Sequence, residues 1–333
     1  MRFGQISIIV SAFALTSCGG QFEHPDTSSI DAQITVRPFY RDLFSPSDAT
    51  LDAKIARMDS LYGTFFTDFC EYGLRIGRPT DSLFSQSLNT FLTLPENAEV
   101  LPVCDSVYAQ LSIDDQLTDA FRCIEYYMPH LPVPQVYCHF SGFSQKIIVD
   151  STFISFGIEH YLGSQCRFYQ YLEVPLYARH TKSAEYIVSD IVKGWYYANC
   201  PDVSEKDDIL SAMIYQAKIL YATKASMPSL DLTKLFGFTE KQLEWCEKAE
   251  ADMWAYLAEN KLLYSTDQLV RNKLVRDAPF TQYFGQDSPG RAVLYCAFSI
   301  VCDYMRQHPE TTMPELFAMA DAQKILVEAR YRP

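Results

Sequence analysis

Histidine is scarce in this chain: six occur in 333 residues, at 24, 130, 139, 160, 180 and 308, and no two stand three to five apart. A catalytic zinc needs about three clustered protein ligands, and the helical His-Glu-x-x-His pattern supplies two of them one turn apart. That pattern is excluded. Glycine is also sparse, 13 residues, and there is no GxGxxG, no P-loop and no GxSxG elbow. Positive charge is outweighed, 28 Lys and Arg against 41 Asp and Glu, for a net charge of −13. Such a balance argues against nucleic acid as a partner and against electrostatic docking on anionic lipid. No apolar run reaches the ~20 residues that a spanning helix needs. Ten cysteines are present, but no CxxC, so neither a zinc knuckle nor a regular disulfide framework is indicated.

What is there begins at the N-terminus. Arg2 precedes a short apolar run, Ile6 to Leu15, and Leu15-Thr16-Ser17-Cys18 resembles a bacterial lipobox. Residues 1–17 therefore read as a lipoprotein signal peptide, and Cys18 as the lipidated first residue of the mature chain. Acyl chains contribute about 0.8 kcal/mol per buried CH₂, so several together anchor the protein durably on a membrane. The plainer alternative is a cleaved secretory signal whose cysteine is incidental. Residues 18–36 read as the lipidated cysteine and a flexible tether, and residues 37–333 as one globular domain without an internal linker.

The body is 48% hydrophobic with 22 Tyr and 22 Phe, enough apolar surface for a large core. Apolar spacing predicts a helix from a cap at Ser47 or Asp48 through Leu51, Ile55, Met58 and Phe69, and a second opened by Asp81. A third runs from Ile113 to Met128. Segments 183–198 and 204–224 are amphipathic. Ser204 with Asp207, and Thr239 with Gln242, resemble capping boxes. Ser288-Pro289 reads as an N-cap and first helical position ahead of a very apolar helix, 291–305, expected at the centre of the core. The one strong β signal is Val133–Phe140 with Lys146–Phe156, read as a hairpin through Ser141-Gly142-Phe143-Ser144. Cys123, Cys246, Cys296 and Cys302 lie in apolar helical patterns and read as buried thiols.

A mostly helical body with a small hairpin matches the outline of zincin-type metallopeptidases. The helix that would hold the metal pair carries Met213-Ile214-Tyr215-Gln216-Ala217-Lys218 instead. Phe39-Tyr40-Arg41-Asp42-Leu43-Phe44, Tyr62-Gly63-Thr64-Phe65-Phe66 and Ser141-Gly142-Phe143 come earlier in the chain, with Gly157-Ile158-Glu159-His160-Tyr161-Leu162-Gly163 following. Ala278-Pro279-Phe280, Ser288-Pro289-Gly290-Arg291 and Asp321-Ala322-Gln323-Lys324-Ile325-Leu326 come after that helix. In this order, the set resembles the GldB family of gliding-motility lipoproteins found in Bacteroidetes. Glu159 and Ala217 stand where the family pattern is expected to have Asp and Gly.

The resemblance implies an α+β, predominantly helical, zincin-like fold with a degenerate active site, and no catalytic residue, cofactor or metal. It implies a lipid-anchored, non-catalytic accessory of gliding motility or the associated secretion machinery, with envelope proteins as partners. The alternative is a hydrolase or ligand-binding protein using the degenerate cleft. Glu159 and His160, just after the second strand, are candidate cleft residues. Lys218 on an apolar helix face calls for a carboxylate, with Glu250 or Glu247 as candidates. Arg291, set against a helix N-terminus, calls for an acidic partner or water. Asp is missing immediately after Cys18, and no dense charge cluster follows it. The expected location is therefore the periplasmic face of the outer membrane.

Overall fold

The computed structural model describes residues 22–333, so the signal segment and Cys18 lie outside the described residues. From Phe22 onward the segment read as tether already packs. The Phe22 ring lies 5.1 Å from Tyr221 and 6.3 Å from Phe298. Ala32 and Ile34 are buried. Thr118 Oγ1 accepts a hydrogen bond from the Ile34 amide at 2.9 Å, which pins this stretch to the helix carrying Thr118.

Four strands form one sheet: β1 (Val36–Arg37), β2 (Gln135–His139), β3 (Ile147–Val149) and β4 (Phe153–Gly157), in the order β1-β2-β4-β3. β2 pairs in parallel with β1 and β4, and β3 pairs antiparallel with β4. The expected hairpin is thus corrected. The segment 146–156 is two strands, folded back at Asp150-Ser151-Thr152, where Asp150 Oδ1 accepts from Ser151 Oγ at 2.6 Å. The loop after β2 does not reverse the chain beside its own strand; it crosses the end of β4 and starts β3 on the far side. Gly142 and Phe143, both at φ +66°, turn that loop. Gly157 lets it pass, because a Cβ there would stand 2.6 Å from the Gln145 carbonyl oxygen.

The two sheet faces bury different material, as alternation along a strand requires. Tyr137 and Phe153 point into an aromatic cluster with Phe39, Phe65, Phe66 and Phe69. Phe65 stacks on Tyr137 at 4.2 Å and meets Phe39 edge-on at 4.8 Å. This layer comes from α1 (Phe39–Phe44), α2 (Leu51–Tyr62), α3 (Thr64–Asp68) and α4 (Phe84–Leu92). Gly63, at φ +49°, divides the single helix expected here, and Thr50 rather than Ser47 or Asp48 caps α2.

The opposite face, with Val136, Cys138, Ile154 and Phe156, belongs to the main core. Around that core run α5 (Asn97–Tyr108), α6 (Asp114–Tyr127), α7 (Arg167–Tyr171), α8 (Leu176–Arg179) and α9 (Ile187–Asn199). They are followed by α10 (Ile209–Ser226), α11 (Leu232–Phe236), α12 (Glu240–Glu259) and α13 (Gln268–Val275). α14 (Val293–Gln307), α15 (Met313–Ala318) and α16 (Ala322–Ala329) complete the chain.

The apolar α14 packs on α10, α12 and α16, the central position its sequence called for. Asp208, not Ser204, caps α10 by accepting from the Ser211 amide at 2.9 Å, whereas the Thr239–Gln242 capping box forms as expected. Cys123, Cys246, Cys296 and Cys302 are buried, as their apolar settings indicate. The result is an α+β, predominantly helical fold.

Candidate functional site

Recessed polar side chains gather in two places. The first lies where the loop after β2 crosses β4. Glu159 follows β4 directly and is fully buried. Its Oε1 accepts from the Ser141 amide at 2.7 Å, the Ser141 hydroxyl at 2.8 Å and the Phe143 amide at 3.2 Å. The carboxyl therefore ties down the tight turn that the two left-handed residues create. Oε2 is buried without a partner, and burial drives the group up to about 7 against the pull of those donors.

His139 is also fully buried; its Nδ1 meets Ser155 Oγ at 3.0 Å and its Nε2 the Gln145 carbonyl at 3.0 Å. Burial lowers it to about 4. His160 accepts from Lys182 Nζ at 3.4 Å through Nδ1, and burial, seconded by the Lys182 charge, lowers it to about 3. Both histidines are therefore neutral at ordinary pH. Of the two candidate cleft residues, Glu159 serves the loop crossing, while His160 meets Lys182 and keeps a buried Nε2 without a partner.

The second place is a cavity of about 170 Å³ between α9, α10 and α11, under the loop that leads into α14. Lys146, Asp190, Lys193, Gln216, Lys234 and Arg291 line it. A groove of about 520 Å³ shares Lys146, Asp277 and Arg291 with the cavity and continues along Tyr177, Phe238, Pro279 and Pro289. Asp190 Oδ2 takes an ion pair from Lys146 at 2.7 Å and a hydrogen bond from the Tyr161 hydroxyl at 3.0 Å. Lys234 pairs with Glu185 at 3.0 Å, and Arg291 Nε lies 2.8 Å from Asp277 Oδ1.

Of the residues singled out in the sequence, Arg291 lines this cavity. Its acidic partner is Asp277, and it stands not on the helix but before it, at φ +60°. Ser288 is correspondingly not an N-cap: its hydroxyl donates to the Gly285 carbonyl at 2.7 Å, while Thr281 Oγ1 accepts from the Ala292 amide at 3.0 Å. The Lys218–Glu250 pair is corrected. Lys218 Nζ donates to the Met319 carbonyl at 2.6 Å, and burial lowers it to about 8. Glu250 Oε1 instead accepts from the Tyr331 hydroxyl at 2.8 Å. The reason lies in the packing, since α14 contacts both α10 and α12 and keeps the helix of Lys218 from the helix of Glu250.

Sequence reading missed Lys146, Asp190, Lys193, Lys234 and Asp277. A usable signal lay in the quoted segments. Gln216 belongs to one, and Gly290 and Ala278 to two others that are pressed together. A Cβ on Gly290 would stand 2.1 Å from the Ala278 carbonyl oxygen. A cysteine–histidine contact also exists, Cys123 Sγ to His24 Nε2 at 3.6 Å. The same ring nitrogen faces Asp119 Oδ1 at 3.0 Å, and burial pushes the thiol up to about 12. No relay is built there, and the thiolate is disfavoured.

The family model described as Gliding motility protein GldB matches residues 21–333, and the chain belongs to that family. No curated protein and no solved structure matches it. No helix of the described residues is long and apolar enough to cross a membrane.

Proposed function

We propose that this protein is a lipid-anchored, non-catalytic component of the gliding-motility machinery. In this reading Cys18 holds it on the periplasmic face of the outer membrane, and it acts by binding envelope partners. Family membership supplies the motility and lipoprotein context. The observation that carries the non-catalytic part is the use made of Glu159 and His160. The carboxyl receives three hydrogen bonds from the turn at Ser141 and Phe143. The imidazole lies buried beneath Lys182. A general acid or base has to reach a substrate proton, and here the carboxyl is engaged in holding a loop while the imidazole is buried against Lys182. On α10, the place where a zincin-like ancestor would carry its metal pair holds Gln216 and the buried Lys218.

The test is affinity purification of the tagged full chain from solubilised envelopes, with Cys18→Ala as the control for anchoring. Motility or secretion components recovered in stoichiometric amount, and lost with Cys18→Ala, support the reading. Recovery of the protein alone from envelopes of a gliding strain overturns it.

A further inference from the structure

We propose that the cavity between α9, α10 and α11 is a binding site for an oxyanion, a phosphate or carboxylate group borne by a larger molecule that lies along the adjoining groove. The proposal does not rest on the motility reading. Its first support is a charge count. Four cations, Lys146, Lys193, Lys234 and Arg291, line the cavity together with two carboxylates, Asp190 and Asp277. A third carboxylate, Glu185, pairs with Lys234. The count leaves an excess of one positive charge, carried in a chain whose net charge is −13.

The second support is the identity of the unpaired cation. Lys146, Lys234 and Arg291 each have a carboxylate within 3.0 Å. Lys193 has neither an ion pair nor a hydrogen bond among the described residues, and burial pushes its ammonium down to about 8. The Gln216 carboxamide, opposite on α10, likewise makes no hydrogen bond among the described residues. Asp190 and Asp277 favour the ammonium without pairing with it, and a ligand oxyanion would meet it directly while the amide of Gln216 donated a neutral hydrogen bond.

The third support is backbone conformation. Arg291 is held in the left-handed region at φ +60°, and the neighbouring Gly290 admits the Ala278 backbone so closely that no side chain fits. Strained residues of this kind cost on the order of 1 kcal/mol and persist where the surroundings fix them. Here the strain keeps a guanidinium at the junction of cavity and groove. The groove beyond offers Tyr177, Phe238, Pro279 and Pro289, with Leu176 at its lip 80% exposed. The site therefore has a cation-rich floor and a mouth of mixed lining, with Lys182, Thr181 and Gln242 beside the apolar residues, which suits an anionic head on a larger body. About 170 Å³ admits one such head with a few waters.

The test is calorimetric titration of the detergent-solubilised full chain at fixed ionic strength, with inorganic pyrophosphate and, in parallel, citrate as probes. The expected result is one-to-one binding of at least one probe, weakened about tenfold or more by Lys193→Met and by Arg291→Gln. Binding of pyrophosphate alone assigns a phosphate-bearing ligand, and binding of citrate alone a carboxylate-bearing one. Should Lys193→Met fail to fold, Arg291→Gln decides the matter. Absence of binding by both probes overturns the proposal, and so does binding that the folded variants leave unchanged.

Discussion

The crossing loop around Glu159 and the cavity around Lys193 are both recessed and both rich in titratable groups, yet they are built in opposite ways. At the crossing, one carboxyl collects three donors from a turn that holds two left-handed residues. Its hydrogen bonds are internal, and the chain itself is the partner. In the cavity, cations exceed the carboxylates that meet them, and Lys193 and Gln216 make no hydrogen bond or ion pair among the described residues. Depth alone therefore does not mark a functional site. What separates the two is what the charged group already meets: Glu159 takes three hydrogen bonds through Oε1, although its Oε2 has no partner, whereas Lys193 has neither a hydrogen bond nor an ion pair among the described residues. Glu159 is a structural residue by that measure, and Lys193 is a residue held for something outside the chain.

The largest expected effect falls on the crossing. Glu159→Ala removes the acceptor of two buried amides and a hydroxyl, at roughly 1–3 kcal/mol per orphaned group, so a loss of about 4 kcal/mol is expected in urea denaturation. A loss below about 1 kcal/mol would erase the distinction between the two regions.

Next in size is a pH effect with a definite sign. Glu159 has a folded value of about 7 against 4.5 ordinarily, so the folded state holds an extra proton between those values and its contribution falls as pH rises. His139 and His160, at about 4 and about 3 against 6.5, act oppositely: the unfolded chain takes up their protons first, and stability is lost as pH falls below 6.5. Between pH 4.5 and 6.5 the histidines together outweigh the carboxyl, leaving a net slope of about 1.4 kcal/mol per pH unit from these three groups. Glu159→Gln deletes the opposing member. The slope from this cluster should then double, and denaturation midpoints read across that window check it. An unchanged slope would show that Glu159 stays ionised in the fold.

How much of this was readable beforehand follows from the range of each interaction. Helices were legible because their signals are local: the capping box at Thr239–Gln242 and the apolar α14 needed no distant partner. The sheet was legible as composition but not as topology. β-branched runs announce strands, but the order of β3 and β4 depends on a loop crossing that only the nearness of Gly157 to Gln145 makes visible. Glu159 and His160 were noticed for their place just after the second strand, and Arg291 for standing against a helix N-terminus. Lys193 was not, since on α9 it reads as an ordinary lysine of an amphipathic helix. Only the tertiary approach of α9, α10 and α11 leaves it unpaired. The Lys218–Glu250 pairing failed for the matching reason, because helix periodicity gives the face of a residue but not which helix will cover it.

The cavity cations should behave unlike Glu159. Lys193→Met removes an ammonium that has no internal partner and keeps the packing of its stem, so stability at pH 7 should hold or rise by about 1 kcal/mol. The lowered value of Lys193 contributes a rise in stability from pH 8 toward 10.5, as the unfolded chain alone still binds that proton there, set against the fall that the buried thiols with raised values bring above pH 9. The variant should lack that contribution, so any advantage it has over wild type at pH 7 should shrink at pH 9.5. Thermal melts at pH 7 and pH 9.5 read both effects, and a clear destabilisation at pH 7 would make Lys193 structural after all.

The smallest stability change, and the sharpest contrast, belongs to Arg291. Glycine adopts φ +60° freely, so Arg291→Gly relieves on the order of 1 kcal/mol of backbone strain. Against this it gives up the pair with the largely exposed Asp277, worth about 0–1 kcal/mol, and a hydrogen bond to the Phe236 carbonyl at 3.3 Å. The two sides nearly cancel, so the melting temperature should stay within a few degrees while oxyanion affinity falls. A fold indifferent to the residue it strains, in a protein whose binding depends on it, is what a cation kept for a ligand requires. If Arg291→Gly instead unfolded as readily as Glu159→Ala, the guanidinium would be one more internal clamp, and the cavity would join the crossing as part of the scaffold.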